Sequence, residues 1–481
     1  MNKQAVFAVL IFFIAGFLIF HPTLSVGFVS DDFVWLKESQ NPQQFNLFNS
    51  QSFGSTKGRP GTMALFFVLS KFFSTKADRF HLIILVFHIL NASLFFAILR
   101  RFQLSFAFSV LTALIFSIHF SNEETLFWVS SLSSIFCLFF YFCSVFLYLH
   151  YMKKGSLLLK FAIIVSMLVA LSIREDAVSI PITLVLLNYI DKQEKSFNLS
   201  NLLRTDFIFL LPSCAFLGWR ILGALQESMG YEFTLNPAVW VQNGLYFVLN
   251  LCVPIRFFFD QVGYEAHELL RLRIMTVKHV HLLIPVGLLL LVAIGFLLLR
   301  LGNKVSGLVR IGCILGVIGF LPYFALLGNA PRFIYFTLVG GAIVITSFIF
   351  WLSRQFSNVL CHLVTLFVGI IVVVINFVVV QERSQWWLKS AKMATTILQQ
   401  TKVIADSLEP GDTMYVVNLP RRLNGAYVFH NGYPEAIFFT TPEIAGKVRF
   451  LGDKTLDELK MLEGKKVYAF ENGKLKKRMD L

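Results

Sequence analysis

Long apolar runs broken by short polar connections recur from about residue 5 to residue 380, and the pattern then changes. A bilayer core of about 30 Å needs about 20 mostly apolar helical residues to cross it, and most of these runs have that length. Spans are expected near residues 5–27, 80–99, 105–121, 125–150, 157–173, 176–190, 205–225, 281–299, 308–328, 333–352 and 359–380. That is eleven, or twelve if residues 237–259 also cross. This last stretch is read as a re-entrant or interfacial helix, because a crossing would invert every later connection. "GTMALFFVLSKFF", beginning at Gly61, has an apolar face broken by Ser70 and Lys71, and is read as lying along the outer leaflet. The first run follows a single Lys3 and no small-residue cleavage site follows it, so it is read as a retained span.

After Val380 the sequence reads as a soluble module. "WWLKSAKMATTILQQTKVIADSLEPGD" has helical periodicity ended by Pro-Gly. "TMYVVNLP" reads as a strand, and "KKVYAFENGKLKKR" as a hairpin about Asn472-Gly473. The expected fold is a polytopic α-helical membrane protein with a small C-terminal α/β domain, divided into residues 1–380 and 381–481.

Composition agrees with that class. Of 481 residues, 56% are hydrophobic and only 15% charged. The net charge of +14 is carried mostly in short connections, where membrane orientation explains it and a nucleic-acid partner does not. The basic connections at Arg100, Lys153, Asp191 and Arg300 are expected on the cytoplasmic side. The acidic turns, and the C-terminal domain, are then extracytoplasmic. The six cysteines lie in apolar runs without metal-ligand spacing, which suggests neither a disulfide framework nor a zinc site.

The outward connections hold the candidate chemistry. "VGFVSDDFVWL" sets Asp31 and Asp32 side by side at a membrane boundary, where keeping both ionised is costly. A cation, an arginine or a substrate hydroxyl would compensate, and so would capping of the helix that follows. Two carboxylates suit magnesium or manganese, with Asp32 the candidate ligand, and a metal-free base fits equally well. "IHFSNEETLFWVSS" brings His119 and Glu124, "SIRED" brings Arg174 and Glu175, and "NAPRF" brings Arg332. Taken singly, each reads as an interfacial anchor. Together they suit a hydroxyl nucleophile activated by carboxylate and a phosphate leaving group held by guanidinium.

In this order, these segments resemble the membrane module of GT-C-type glycosyltransferases over roughly residues 5 to 350. The pattern is most similar to protein O-mannosyltransferases that carry tetratricopeptide repeats and to their bacterial relatives, although no such repeat follows Val380. The resemblance implies an inverting enzyme with a sugar donor on polyprenyl phosphate, in a bacterial inner membrane and acting on its outer face in building the cell envelope. Asp31 would be the catalytic base, with Asp32 its partner. Arg174 and Arg332 would contact the donor phosphate, with His119, Glu124 and Glu175 in support. The histidine motif of that family departs here, with Phe120 and Asn122 at its proline and second histidine, while Trp128 matches its tryptophan. The acceptor, whether protein, lipid or polysaccharide, does not carry over. The competing reading is a transporter or flippase for a lipid-linked glycan, which would place ionisable groups within spans and show an internal repeat. "NLPRRLNGAYVFHNGYPEAI" either helps select an acceptor or belongs to a folded cap with no direct role.

Overall fold

The computed structural model describes residues 3–40, 58–191, 199–224, 234–254, 303–326, 330–356, 358–454, 458 and 465–478. Five segments are long and apolar enough to cross a membrane: Lys3–Ser25, Ala77–Arg101, Val129–Lys154, Pro331–Ser353 and Val359–Asp406. Phe106–Ile118 and Phe120–Phe127, bent by 43° at His119, make a sixth if they form one span. Pro60–Phe73, Leu157–Ile173, Phe207–Leu222 and Gly307–Tyr323 are shorter apolar helices. The chain is an integral membrane protein. Among the described residues, five of the expected eleven spans, or six with the bent pair, meet that length and composition. The expected span at 281–299 lies outside the described residues.

The helices, in chain order, are α1 (Lys3–Phe20), α2 (Asp31–Ser39), α3 (Pro60–Phe73), α4 (Ala77–Arg101), α5 (Phe106–Ile118), α6 (Glu123–Phe127) and α7 (Leu132–Lys154). There follow α8 (Leu157–Ile173), α9 (Ile180–Asp191), α10 (Leu199–Ala224), α11 (Pro237–Cys252), α12 (Asn303–Phe320), α13 (Ile334–Ser353), α14 (Asn358–Asp406) and α15 (Tyr433–Thr440). α11, in the stretch read as re-entrant or interfacial, has 16 residues, or about 24 Å at 1.5 Å per residue, short of a bilayer core. α13 is central, burying Tyr335, Leu338, Ala342 and Ile343. α14 is peripheral, exposing Leu363, Leu366, Phe367, Ile370 and Val374 as a lipid-facing helix does.

The boundary drawn at residue 380 falls inside α14, which runs unbroken for 49 residues, about 74 Å. Composition changes there but helical periodicity does not, so the C-terminal module is built on the second half of a membrane helix. A four-stranded sheet of order β4-β1-β5-β6 completes it, formed by β1 (Met414–Val417), β4 (Val448–Phe450), β5 (Lys466–Glu471) and β6 (Lys474–Lys477). β1 pairs in parallel with β4 and β5, and the β5–β6 hairpin turns at Asn472-Gly473, both at positive φ as a two-residue hairpin requires. A second such turn, Asn424-Gly425, joins β2 (Arg422–Leu423) to β3 (Ala426–Tyr427).

α12 and α13 pack backbone to backbone through glycine, as membrane helices do without a hydrophobic drive between them. A Cβ on Gly340 would run into the Gly312 carbonyl oxygen and the Gly316 nitrogen, whereas one on Gly218 would meet open space. Gly340→Leu is therefore expected to abolish recovery of monodisperse protein in detergent. Gly218→Ala is expected to raise the thermal midpoint slightly, by relieving about 1 kcal/mol of helix-propensity cost.

Candidate active site

α2 begins at the Asp pair, and the backbone before it is strained. Ser30 has φ 49° and ψ −123°, a region costing a non-glycine residue about 1–3 kcal/mol unless its surroundings enforce it. The C-terminal module does so. Ser30 N donates to the Val428 carbonyl at 2.9 Å, Asn431 N donates to Ser30 Oγ at 3.1 Å, and Gly432, at φ 82°, lies against the Ser30 carbonyl where a Cβ would collide.

This turn sends the two carboxylates apart. Asp32 is fully buried; its Oδ2 accepts from Val29 N at 2.9 Å, and its Oδ1 from Ser130 N at 2.6 Å and Ser130 Oγ at 2.5 Å. Burial pushes its carboxyl up to about 7 against the pull of those donors. Asp31 is half-buried, and among the described residues its one hydrogen bond comes from Asn431 Nδ2, at 2.9 Å to Oδ1. Both oxygens of Asp32 thus accept from protein donors, whereas Asp31 keeps one oxygen without such a donor among the described residues. No group of three or more potential metal ligands occurs among the described residues.

Arg332 enters from the short turn before α13. Its Nη1 donates to the fully buried Glu124 carboxylate and, at 2.8 Å, to the Tyr427 hydroxyl. The guanidinium lies 5.0 Å from the Trp128 ring centre and 4.7 Å from that of Phe333. Tyr427 stacks on Trp128 at 4.2 Å, carries Arg422 4.1 Å from its own ring centre, and accepts from Arg422 Nη2 at 3.0 Å. His430 is acted on by Asp31, Arg332, Arg421 and Arg422; burial, then the Arg422 charge, pull its imidazole down to about 4, so it is neutral near pH 7.

Arg174 is buried nearby. Its Nε pairs with Asp176 at 2.6 Å, Nη1 donates to Ser134, and Nη2 donates to the Tyr323 hydroxyl at 2.8 Å. Its guanidinium carbon is 6.0 Å from the same Phe333 ring that borders Arg332. Glu175 turns to Arg59, accepting from Nε at 2.9 Å and also from Nη2, with Arg220 Nη2 at 3.9 Å. Burial opposes its charge, but these arginines and Arg174 outweigh it and hold the carboxyl well below the usual range.

Of the sequence candidates, then, Asp31, Glu124 and Arg332 meet at the C-terminal module, with Trp128 among them. Arg174, paired with Asp176, approaches through the Phe333 ring that also borders Arg332. Glu175 belongs to a separate ion-pair cluster. His119 accepts from Ser121 N on Nδ1 at 3.2 Å, so Nε2 carries the proton and donates to the Leu251 carbonyl at 3.2 Å, tying α11 to the α5–α6 bend. Sequence reasoning assigned no roles to Tyr427, Arg422, His430 and Asn431. Their signal was the pair of Asn-Gly steps in the flagged C-terminal segment, which mark turns without saying what the turns meet.

No family profile matches the sequence, and no curated protein matches it. Among solved structures, the oligosaccharyltransferase of Archaeoglobus fulgidus, tethered to an acceptor peptide, is similar at TM-score 0.47 and 10% identity, over 94% of this chain. The chain spans 64% of that protein's length. ArnT from Cupriavidus metallidurans, bound to undecaprenyl phosphate, is similar at TM-score 0.39 and 13% identity, over 96% of this chain and 92% of that one.

The raised Asp32 carboxyl fixes a sign. From the ordinary range up to about 7 the folded chain keeps a proton that the unfolded chain has lost, so stability falls as pH rises through that window. Asp32→Asn does not titrate. Its thermal midpoint in detergent is expected to fall less than the wild type's between about pH 5 and about pH 8.

Proposed function

We propose that this chain is an inverting glycosyltransferase that moves a sugar, hexose or pentose, from a polyprenyl-phosphate donor to an acceptor hydroxyl. We place the site, with the C-terminal module, at the outer face of a bacterial inner membrane, in the building of the cell envelope. The orientation follows the basic connections on the opposite side. The observation that carries the reading is that Asp31 and Arg332 are each held by the same C-terminal stretch, through Asn431 and Tyr427. A half-buried carboxylate, held by one neutral amide, stands at the same C-terminal stretch as a guanidinium fixed by Glu124 and Tyr427.

In this reading the acceptor oxygen attacks the anomeric carbon while its proton passes to Asp31. The bond from that carbon to the phosphate oxygen breaks on the opposite side, and its electron pair leaves with the phosphate. Arg332 stabilises the charge that develops there. Arg174, paired with Asp176 as Arg332 is with Glu124, lies against the Phe333 and Tyr323 rings on that side and supports the donor phosphate from there. Glu124 holds Arg332 in place. The mannosyltransferase-like motifs leave the sugar open, and the acceptor, whether protein, lipid or polysaccharide, is defined by the hydroxyl alone.

The test is transfer of radiolabelled sugar from a polyprenyl-phosphate-sugar pool into endogenous acceptors, using membranes with wild type or variant at equal abundance. Asp31→Asn is expected to lower transfer at least about a hundredfold. Arg332→Lys, which keeps the charge but loses the planar fork, is expected to lower it at least about tenfold. Undiminished transfer by Asp31→Asn, above membranes lacking the protein, would overturn the base assignment.

A further inference from the structure

The C-terminal module does more at this site than cover it. Tyr427 touches the arginine and Asn431 touches the aspartate, so one short piece of chain contacts both ends of the proposed reaction. Four residue steps separate them, which limits their Cα distance to about 14 Å even if extended. The piece is itself firmly held. Val428 N donates to the Arg421 carbonyl at 2.9 Å and Phe429 N to the Pro420 carbonyl at 3.2 Å. The Tyr427 carbonyl accepts from Ser390 on α14, and Tyr433, just beyond, shares a 2.7 Å hydrogen bond with Thr401 on the same helix. On the other side, Ser30 is clamped between Val428 and Asn431 in a backbone conformation it would not otherwise keep.

Resting on the function proposed above, we infer that Asn431 is a positioning residue for Asp31. Its amide fixes Oδ1 and thereby turns Oδ2 toward the acceptor, while Tyr427, at the other end of the same stretch, fixes Arg332. The spacing of base and leaving-group contact is thus set by the C-terminal module and not by the membrane helices alone. Asn431 is exposed, so its bond to Asp31 lies on the accessible side of the carboxylate. The charged and titratable groups around Asp31 are Asp32 beside it and His430 opposite, with Arg332, Arg421 and Arg422 acting on that imidazole. Further along, where α2 packs on α15, Lys37 pairs with Glu435 at 3.7 Å.

Charge placed at position 431 separates positioning from simple support of the fold. Purified full-length protein in vesicles, given a radiolabelled polyprenyl-phosphate sugar, would be assayed across pH as wild type, Asn431→Asp and Asn431→Lys. A carboxylate at 431 disfavours the ionised base and is expected to move the acid limb of the profile up by about one pH unit; an ammonium is expected to move it down by a similar amount. An acid limb at the wild-type position in both variants, with Asp31→Asn inactive, would overturn the inference and leave the base assignment standing. Transfer retained by Asp31→Asn would overturn both. Asn431→Ser serves if a charged variant fails to accumulate: a several-fold lower kcat with unchanged donor KM supports the inference, and an unchanged kcat overturns it.

Discussion

Carboxylates at the end of an apolar bundle must be matched, and the matching organises this molecule. Glu124 meets Arg332, Glu123 meets Arg383 and the Trp387 indole, Glu175 meets Arg59, and Asp176 meets Arg174. Three of these ion pairs join residues more than a hundred positions apart. A buried charge without its partner is far more costly than the pair is favourable, so such pairs act mainly by excluding other arrangements of the turns that carry them. Asp32 is satisfied differently, by three neutral donors. Among the described residues that leaves Asp31 as the carboxylate of its turn held by a single neutral amide, and reactivity is assigned there because the rest of the acidic set is already engaged.

The same constraint explains why the C-terminal module is integral to the site. Glu123 and Glu124 are adjacent on α6, yet one reaches α14 and the other the turn before α13, so α6 is fixed between the module's helix and the membrane core. Tyr427 closes the arrangement by stacking on Trp128 while its hydroxyl accepts from two arginines. Ser30 reports the same coupling in its backbone: a strained residue directly before the proposed base is held by the 428–432 stretch, four hundred positions later in the chain.

Much of the architecture was legible beforehand. The apolar run at 157–173 coincides with the shorter helix α8, and the expected spans at 80–99 and 333–352 lie within three residues of α4 and α13, because hydropathy changes sharply at the ends of these runs. The Asn472-Gly473 hairpin was also legible, since few residue pairs accept two successive positive φ values. The domain boundary was not, because α14 continues through a change of composition without a break in helical period.

The sequence by itself determined the membrane class of the protein, the principal helices and the turns holding its acidic and basic groups, since these follow from local hydropathy and local backbone preference. It could not say which arginine each carboxylate would meet, that Asp31 and Asp32 would point different ways, or that Asn431 and Tyr427 would border the site. Those were decided by tertiary structure alone, because pairing a buried charge depends on which distant segments the packed helices bring within hydrogen-bonding distance.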